Sequence, residues 1–463
     1  MTEQLKLKLN DSKATRWGAL VIVAFTMMAA YYVNDVVAPL KTMLETDLAW
    51  SSTDFGFFTG GYSFLNVFFL MLIWGGLILD RFGIRFTGKL ATILMVGGTA
   101  LEYYAMTGLA GADATLFGIN EIFGYKTGVF VAFAGYSIFG VGAEVAGITV
   151  SKIIAKWFKG KELATAMGVQ VALARIGSQA GYAVAIPLAR AFGISTPVLL
   201  GLVLLLGGMI AFFIFAVMDK KLDKQMEAAA IAAGTEDEEE KFSFKDVKNI
   251  LVNTGFWLIA LLCVLFYSCV FPFQKFASEL MIIKYGINEN VAGTFAGLPA
   301  LGALILTPVF GGFIDKRGKS ASIMLLGSAM LICVHFIYAI PDINYWLVAI
   351  VLMIILGIAF SLVPSAMWPA VAKIFPVSQL GTAYALIFFI QNIGLWGIPT
   401  LIGWVLDAYC ISGKKPDGTN MYDYTVPMCI FTSIACLSLI VALLLKKADK
   451  KYGYKLEEPN IQK

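Results

Sequence analysis

The sequence predicts an all-α membrane protein with twelve transmembrane helices in two six-helix bundles. Three observations predict this fold class: the composition, the length of the apolar runs and a motif that occurs in both halves. The 463-residue chain is 59% hydrophobic and 14% charged, whereas soluble domains hold about 25% charged residues. This composition excludes an ordinary soluble enzyme, a disordered chain and a secreted disulfide scaffold. The net charge of +4 gives no indication of a nucleic-acid partner.

Twelve apolar runs are each long enough to cross a bilayer, which takes about 20 residues. A helix satisfies every backbone polar group within one segment in lipid, so each run is predicted to be a helix. The runs cover 17–40, 54–79, 86–108, 129–151, 163–190, 197–218, 254–280, 290–314, 321–340, 345–372, 380–406 and 425–445.

Polar segments divide the chain into five parts. A tail of residues 1–16 precedes the first bundle at 17–218, a linker covers 219–253, the second bundle covers 254–445, and a tail covers 446–463. Lys and Arg are concentrated on the side of the tails and the linker, so the positive-inside rule predicts cytoplasmic termini. No nucleotide-binding loop and no Cys/His cluster with metal-ligand spacing occurs, so we expect no cofactor, no metal and no enzyme activity.

A charged motif follows the second helix of each half. The second run ends in Gly-x-x-x-Asp80-Arg81-Phe-Gly83, and the eighth run ends in a matching stretch around Asp315 and Gly318. Found twice within a six-plus-six arrangement, this pattern resembles the signature of the major facilitator superfamily. The resemblance implies a central cavity and alternating access between two bundles. The expected gating residues are Asp80, Arg81, Gly83, Arg85, Asp315, Lys316 and Gly318.

The two motif carboxylates are expected to join the bundles at the cytoplasmic entrance. Asp80 is predicted to lie near the start of the eleventh helix, where Ser378 is a candidate N-cap, because a carboxylate is stabilised by a helix N-terminus. Asp315 is predicted to face the start of the fifth helix, near Lys161. The alternative is that these charges only follow the positive-inside rule.

Five ionisable side chains within the apolar runs are singled out as functional candidates, because burying such a residue in lipid costs about 2.5–3.5 kcal/mol. They are Asp35, Glu102, Glu144, Arg175 and Glu279. At 1.5 Å per residue, Glu144 lies roughly 12–18 Å and Arg175 roughly 21 Å from the cytoplasmic surface. The two charges therefore lie at comparable depth on consecutive helices. Either they form an internal ion pair, or Glu144 binds the ammonium and Arg175 the carboxylate of a zwitterion.

Several longer stretches narrow the resemblance to the lysosomal dipeptide-uniporter subfamily of this superfamily. These stretches are 144–146, 156–163, 173–178, 266–273, 367–369, 379–384 and 390–395. The resemblance implies dipeptide transport, with Glu144 and Arg175 at the positions that bind the two peptide ends. Neither tail contains an acidic dileucine sorting signal, so a bacterial inner membrane is favoured over a lysosomal membrane.

Further polar and aromatic side chains in the runs are candidates for the cavity wall, although helix–helix packing is an equally good explanation of each one. With the two charges, the expected substrate-binding residues are Asp35, Tyr62, Asn66, Tyr267, Trp368, Gln391 and Asn392. Glu102 is expected to be solvated near an outer helix end, and His335 is expected to be structural.

Together with this resemblance, the sequence predicts a monomeric uniporter of small peptides, above all dipeptides, in a lipid bilayer. One alternative is a proton-coupled carrier of organic anions or sugars, with Glu144 or Asp35 titrating. An alternative of another class is a non-transporting receptor or sensor with the same fold.

Overall fold

The computed structural model describes residues 8–111, 114–158, 161–233 and 244–459. The helices are α1 (Lys13–Val36), α2 (Lys41–Leu48), α3 (Ser52–Phe68), α4 (Met71–Thr107), α5 (Thr127–Trp157), α6 (Leu163–Phe192), α7 (Thr196–Ala233), α8 (Phe244–Val252), α9 (Thr254–Tyr285), α10 (Glu289–Ala296), α11 (Leu298–Arg317), α12 (Ser320–Ala339), α13 (Trp346–Ile374), α14 (Val377–Tyr409) and α15 (Thr425–Tyr452). Two short antiparallel hairpins pair β1 (Glu121–Ile122) with β2 (Tyr125–Lys126) and β3 (Ile411–Lys414) with β4 (Asn420–Tyr422).

The helices cover all twelve predicted runs, although not one helix to each run. The second run is divided between α3 and α4, and α4 also contains the third run. Among the described residues, nine helical segments are long and apolar enough to span a membrane, and the bent pair α3 and α4 makes a tenth. The helix α4 contains the end of the second predicted run and all of the third, with Gly83 at φ +75° between them. A positive φ is strained for residues with a Cβ, so Gly83 permits the sharp turn of the motif. The eighth run is divided between α10 and α11.

The helix α6 corresponds to the fifth predicted run but is not among the segments apolar enough to span a membrane by themselves. Its sequence includes Gln170, Arg175, Ser178 and Gln179. It packs against α1 of its own bundle and against α10 and α11 of the other. Polar groups are tolerated at this depth because the helix faces protein and a cavity rather than lipid.

The two bundles consist of α1 to α7 and of α9 to α15. In the first, α4 packs on α5 and α1 packs on α6 and α7; in the second, α12 packs on α15 and α11 on α13. The helix α7 continues to Ala233, beyond the predicted linker boundary at residue 218, and the acidic run 236–240 lies outside the described residues. Beyond α7, the structure describes the linker from residue 244 onward, and α8 covers residues 244–252 of it.

Both ends of the described chain lie on one side of the molecule. Lys161, in the α5–α6 connection, donates a hydrogen bond of 2.8 Å to Asp11, and Lys319, next to the second motif, donates 3.1 Å from its backbone to Glu457. We call this side, with both motif loops, the terminal side and the opposite side the far side. The assignment of the terminal side to the cytoplasm stays a prediction.

The bundles touch most closely on the far side, along α3 and α14. A Cβ on Gly56 would lie 2.4 Å from the Pro399 carbonyl oxygen, and one on Gly403 would lie 2.2 Å from that of Ser52. Only glycine permits this backbone approach. The start of α3 is fixed by a capping box between Ser51 and Asp54, so the close contact begins at the first turn of the helix.

Candidate functional site

Glu144 occupies the middle of α5, opposite Tyr62 of α3. The Tyr62 hydroxyl donates a hydrogen bond of 3.0 Å to Oε1 of Glu144. The two helices approach closely here, since a Cβ on Gly140 would lie 2.0 Å from the Tyr62 carbonyl oxygen. The small residue at position 140 therefore places the hydroxyl beside the carboxylate. Glu144 is partly exposed although it lies deep in the bundle, so it faces a cavity.

Arg175 reaches across from α6 to the second bundle. Its guanidinium carbon lies 4.9 Å from the ring centroid of Phe360 on α13 and 5.5 Å from that of Tyr31 on α1. A Cβ on Gly177 would lie 2.1 Å from the Met28 carbonyl oxygen, so α6 and α1 are in backbone contact beside it. A cation over two aromatic faces is held by cation–π attraction, which leaves its N–H groups free to bind an anion.

The two charges face the same cavity without neutralising each other. Among the described residues, Arg175 makes no hydrogen bond or ion pair, and Tyr62 is the hydrogen-bond partner of Glu144. Tyr31 lies within electrostatic range of both charges. The internal ion pair that the sequence left open is therefore not formed in this conformation.

An aromatic cluster of the second bundle forms the opposite wall. The Trp368 indole donates 3.3 Å to the Tyr267 hydroxyl and stacks on Phe388 at 4.8 Å between centroids. Tyr267 contacts Phe360 edge-on at 6.3 Å, which joins the cluster to the face under Arg175. Tyr384 donates 3.0 Å to the Trp368 carbonyl oxygen. A ligand held by the two charges would have apolar and aromatic surface beside it.

The remaining predicted polar residues are distributed over other positions. Gln391 is buried and accepts from the Cys263 thiol at 3.3 Å, and Asn392 donates 2.9 Å to its own helix at Phe388. Asn66 is buried with no hydrogen-bond partner for its amide among the described residues. These amides thus take part in helix packing or are unpaired in this conformation, and their part in substrate binding stays a prediction.

Asp35 lies in a buried ion pair that the sequence did not predict. Lys275 of α9 approaches it at 3.3 Å and also donates to the Asn34 carbonyl oxygen at 2.6 Å and to the Tyr136 hydroxyl at 3.3 Å. Tyr136 in turn donates 2.7 Å to the Asn34 carbonyl oxygen. Lys275 lies within the predicted seventh run, and a lysine in an apolar run was the signal that could have identified it.

A second buried pair joins the bundles nearer the far surface. Lys41 lies 2.5 Å from Glu279, and their side chains are 3% and 1% exposed. The Tyr424 hydroxyl also donates to Glu279. Asp407 accepts from the Thr53 backbone and hydroxyl, each at 2.6 Å. We call the pairs Lys41–Glu279 and Asp35–Lys275, with Asp407 and Thr53, the far gate.

The far gate seals one end of the cavity. Its contacts cross between the bundles and are mostly buried, which excludes water from that side. Because Glu144 and Arg175 are nevertheless partly exposed, the cavity opens toward the terminal side. The protein is described here in a far-closed conformation.

The first motif makes contacts within its own bundle in this conformation. Asp80 is 67% exposed and lies 3.0 Å from Lys152 of α5. Arg85 lies 2.6 Å from Asp223 of α7, and the Arg81 guanidinium lies 5.5 Å from the centre of the Phe82 ring. The side chain of Ser378 lies outside the described part of the chain. Contact of Asp80 with the start of α14 therefore stays a prediction.

The second motif packs against the C-terminal segment. Gly318 has φ +70°, and a Cβ there would lie 2.4 Å from the Glu457 carbonyl oxygen. The Glu457 carboxylate accepts from the Ser322 backbone and hydroxyl, each at 2.8 Å, in the first turn of α12, where the helix dipole favours an anion. Asp315 interacts with another residue in this structure. The gating roles expected of Asp315 and Lys316 stay predictions.

The environment that the sequence predicted for Glu102 is wrong. Glu102 is 0% exposed, whereas the sequence placed it in a solvated position near the end of a helix. The error arose because α5 covers this face of α4, through glycine contacts that the sequence does not reveal. His335 is fully buried, and its Nε2 lies 3.0 Å from the Cys269 carbonyl oxygen.

The sequence profile of the Major Facilitator Superfamily matches residues 20–396. The chain belongs to the major facilitator superfamily. As a member, it is a multi-pass membrane transporter with the twelve-helix fold, and the family carries small-molecule substrates. The fold predicted from the apolar runs and the paired motif is thereby confirmed.

Curated relatives are similar along most of the chain. The lysosomal dipeptide transporter MFSD1 of Homo sapiens is 28% identical over 450 residues, which cover 94% of this chain and 87% of that protein. The protein of the same name from Gallus gallus is 33% identical over 287 residues, 59% of this chain and 62% of that protein. The predicted resemblance to this subfamily is confirmed.

Solved structures share the fold at low sequence identity. The nucleoside transporter NupG aligns with a TM-score of 0.68 at 12% identity, over 92% of this chain and 98% of that chain. The peptide transporter POT in complex with sulfate aligns with a TM-score of 0.67 at 14% identity, over 95% of each chain. At such identities the likeness concerns the fold alone.

Proposed function

We propose that this chain transports dipeptides as a uniporter by alternating access. The single observation that carries the proposal is the unpaired arrangement of Glu144 and Arg175 on one cavity. A carboxylate and a guanidinium held apart match the two termini of a zwitterion, and an amino acid chain with free ends supplies both charges. The subfamily relatives named as dipeptide transporters support this substrate class.

Each end of a dipeptide has a defined partner in this proposal. The substrate ammonium binds Glu144, whose Oε1 already accepts from Tyr62, and the substrate carboxylate binds the Arg175 fork in two parallel hydrogen bonds. The side chains of the dipeptide face the aromatic cluster around Trp368. Contact with this cluster is apolar and stacking in nature, so it tolerates different side chains.

Release and loading require the opposite conformation, in which the far gate opens. Lys41–Glu279 and Asp35–Lys275 each have one partner in either bundle, so opening separates both pairs. At the same time Asp80 moves toward α14 and closes the terminal side. Residence in a bacterial cell membrane, cytoplasmic termini and a monomeric state stay predictions alongside this mechanism.

Uptake of labelled dipeptides into proteoliposomes tests the proposal. We expect saturable uptake down a dipeptide gradient that needs no imposed pH gradient, and a severe loss in Arg175→Lys. Lysine keeps the charge but offers no planar fork. Uptake only with a pH gradient would favour the proton-coupled carrier, and binding without uptake would favour the receptor. Lys284→Arg, a change at a lysine that donates to backbone carbonyls away from the cavity, serves as the matched control.

A further inference from the structure

Glu102 is a buried carboxyl group that the proposed transport mechanism does not use. It lies in the third predicted run, within α4, and is 0% exposed. Neither of its side-chain oxygens has a hydrogen-bond partner among the described residues. The hydroxyl of Thr99, one helical turn earlier, is also buried without a partner. A polar side chain in this setting is stable only if it is neutral or if a ligand satisfies it.

Backbone contact between α4 and α5 keeps this position dry in the far-closed conformation. A Cβ on Gly98 would lie 2.4 Å from the Gly135 carbonyl oxygen, and one on Gly135 would lie 2.9 Å from the Glu102 backbone nitrogen. Helices this close leave no side-chain layer between them. The carboxyl group is therefore enclosed by protein on the side of α5.

The titratable groups within electrostatic range of Glu102 are Tyr136 of α5 and Lys275 of α9. Asp35 of α1 and Tyr182 of α6 lie within electrostatic range of Tyr136. Lys275 is the one cation in this group, and its hydrogen bonds go to Asn34, Asp35 and Tyr136. Asp35 already balances its charge. A negative charge on Glu102 would thus have no partner of its own.

We infer that Glu102 is a proton-binding site linked to the far gate. The carboxyl group holds a proton while the gate is closed and releases it when the gate opens. Opening moves Lys275 away with the second bundle and admits water beside Asp35 and Glu102. Loss of the cation alone would favour the protonated form, but hydration favours the carboxylate more strongly, because Lys275 makes no direct contact with Glu102.

The position of the site determines what the proton does. Glu102 lies five residues before the far end of α4 at Thr107, so the proton exchanges with the far side when the gate opens. Binding and release on the same side move no net charge across the membrane. Far-side acid therefore favours the far-closed conformation without coupling transport to a proton gradient, which is compatible with uniport.

The conformational equilibrium without substrate tests this inference. Nitroxide labels at Thr46 and Pro341, both exposed on the far side, report the separation of the bundles by pulsed electron resonance in nanodiscs. The background replaces the exposed Cys333, Cys429 and Cys436 with alanine. We expect the ratio of far-open to far-closed protein to rise about tenfold or more between about pH 5 and pH 8, because opening releases a proton and is therefore favoured as the pH rises.

Glu102→Gln should fix the distribution near its low-pH form and abolish the pH response. Glu121→Gln, at an exposed glutamate of the β1–β2 hairpin, should respond like the wild type. In the infrared difference between wild type and Glu102→Gln, the carbonyl band of a protonated carboxylic acid should be lost. If Glu102→Gln does not fold, Glu102→Met supplies a neutral side chain of similar length.

Two results would overturn the inference. One is a wild-type distance distribution that does not change with pH, and the other is a neutral variant at position 102 that responds to pH as the wild type does. Because no dipeptide is present, these results are independent of the substrate. Failure of dipeptide uptake would refute the proposed function while leaving this measurement intact.

Discussion

The charge of Glu144 allows a quantitative test of how the substrate ammonium is bound. In the wild type, acetylating the amino group of a dipeptide removes the cation that would pair with this carboxylate. Oε1 keeps its bond of 3.0 Å from Tyr62, so one carboxylate oxygen stays satisfied and the loss concerns the other. A hydrogen bond to a charged group contributes about 1.5–3 kcal/mol. With tenfold per 1.4 kcal/mol, acetylation should weaken wild-type binding roughly 10- to 150-fold.

In Glu144→Gln the side chain carries no charge for the ammonium to neutralise, so free and acetylated peptides should bind with nearly equal affinity. Amidation of the peptide carboxylate should still weaken binding to this variant, because Arg175 is unchanged. Isothermal calorimetry with free, acetylated and amidated forms of one dipeptide measures all three. If Glu144→Gln still rejects the acetylated form as strongly as the wild type does, the ammonium binds elsewhere and the proposed role of Glu144 is refuted.

Three further predictions concern the gates and the pH dependence of stability. Glu279→Gln leaves the buried cation of Lys41 unpaired, which costs about 3–5 kcal/mol, so the distance between spin labels on the far side should lengthen. Replacing both Lys41 and Glu279 with methionine should restore the closed state. An unchanged label distance in Glu279→Gln would contradict the gate. Asp80→Asn should slow uptake while dipeptide affinity in calorimetry stays unchanged, and equal loss of both would place Asp80 in the binding site. The pKa of the Glu162 carboxyl is held below its usual value by hydrogen bonds from the Glu162 backbone N–H and from the Arg16 guanidinium. This carboxylate therefore stabilises the fold above about pH 4.3, and its contribution is lost as the pH falls through its lowered pKa. The unfolding temperature of Glu162→Gln should thus approach that of the wild type in acid. A difference in unfolding temperature that is constant at all pH values would contradict this.

The sequence was sufficient to predict the twelve crossings and the family, because lipid makes the constraint local. A segment in a bilayer must satisfy its own backbone hydrogen bonds and present mostly apolar side chains, so most runs can be identified without knowing their neighbours; the more polar α6 is the exception. The same reasoning identified Glu144 and Arg175, since a charge in such a run is rare. Their comparable depth followed from the helical rise alone.

Contacts between helices were not predictable in this way, because they depend on which faces meet. Lys275 lies in an apolar run, yet only the packing of α9 against α1 shows that Asp35 is its partner. Glu102 is buried because Gly98 and Gly135 permit backbone contact between α4 and α5, which no spacing along one helix reveals. The pairing of charges across the far gate was likewise decided by the tertiary structure.

The residues of the first motif show most clearly which features follow from the sequence and which depend on the tertiary structure. The sequence by itself predicted that an apolar run ends before Asp80 and that the charged motif lies on the side of the termini, since both follow from the local pattern of apolar and charged residues. The structure adds that the chain continues through the motif as α4, with Gly83 at φ +75°. Only the tertiary structure decided that Asp80 contacts Lys152 of its own bundle at 3.0 Å. The physical reason is that the partner of a charge near the bundle interface depends on how the helices and bundles are arranged, whereas each helix is specified by its own segment of the sequence.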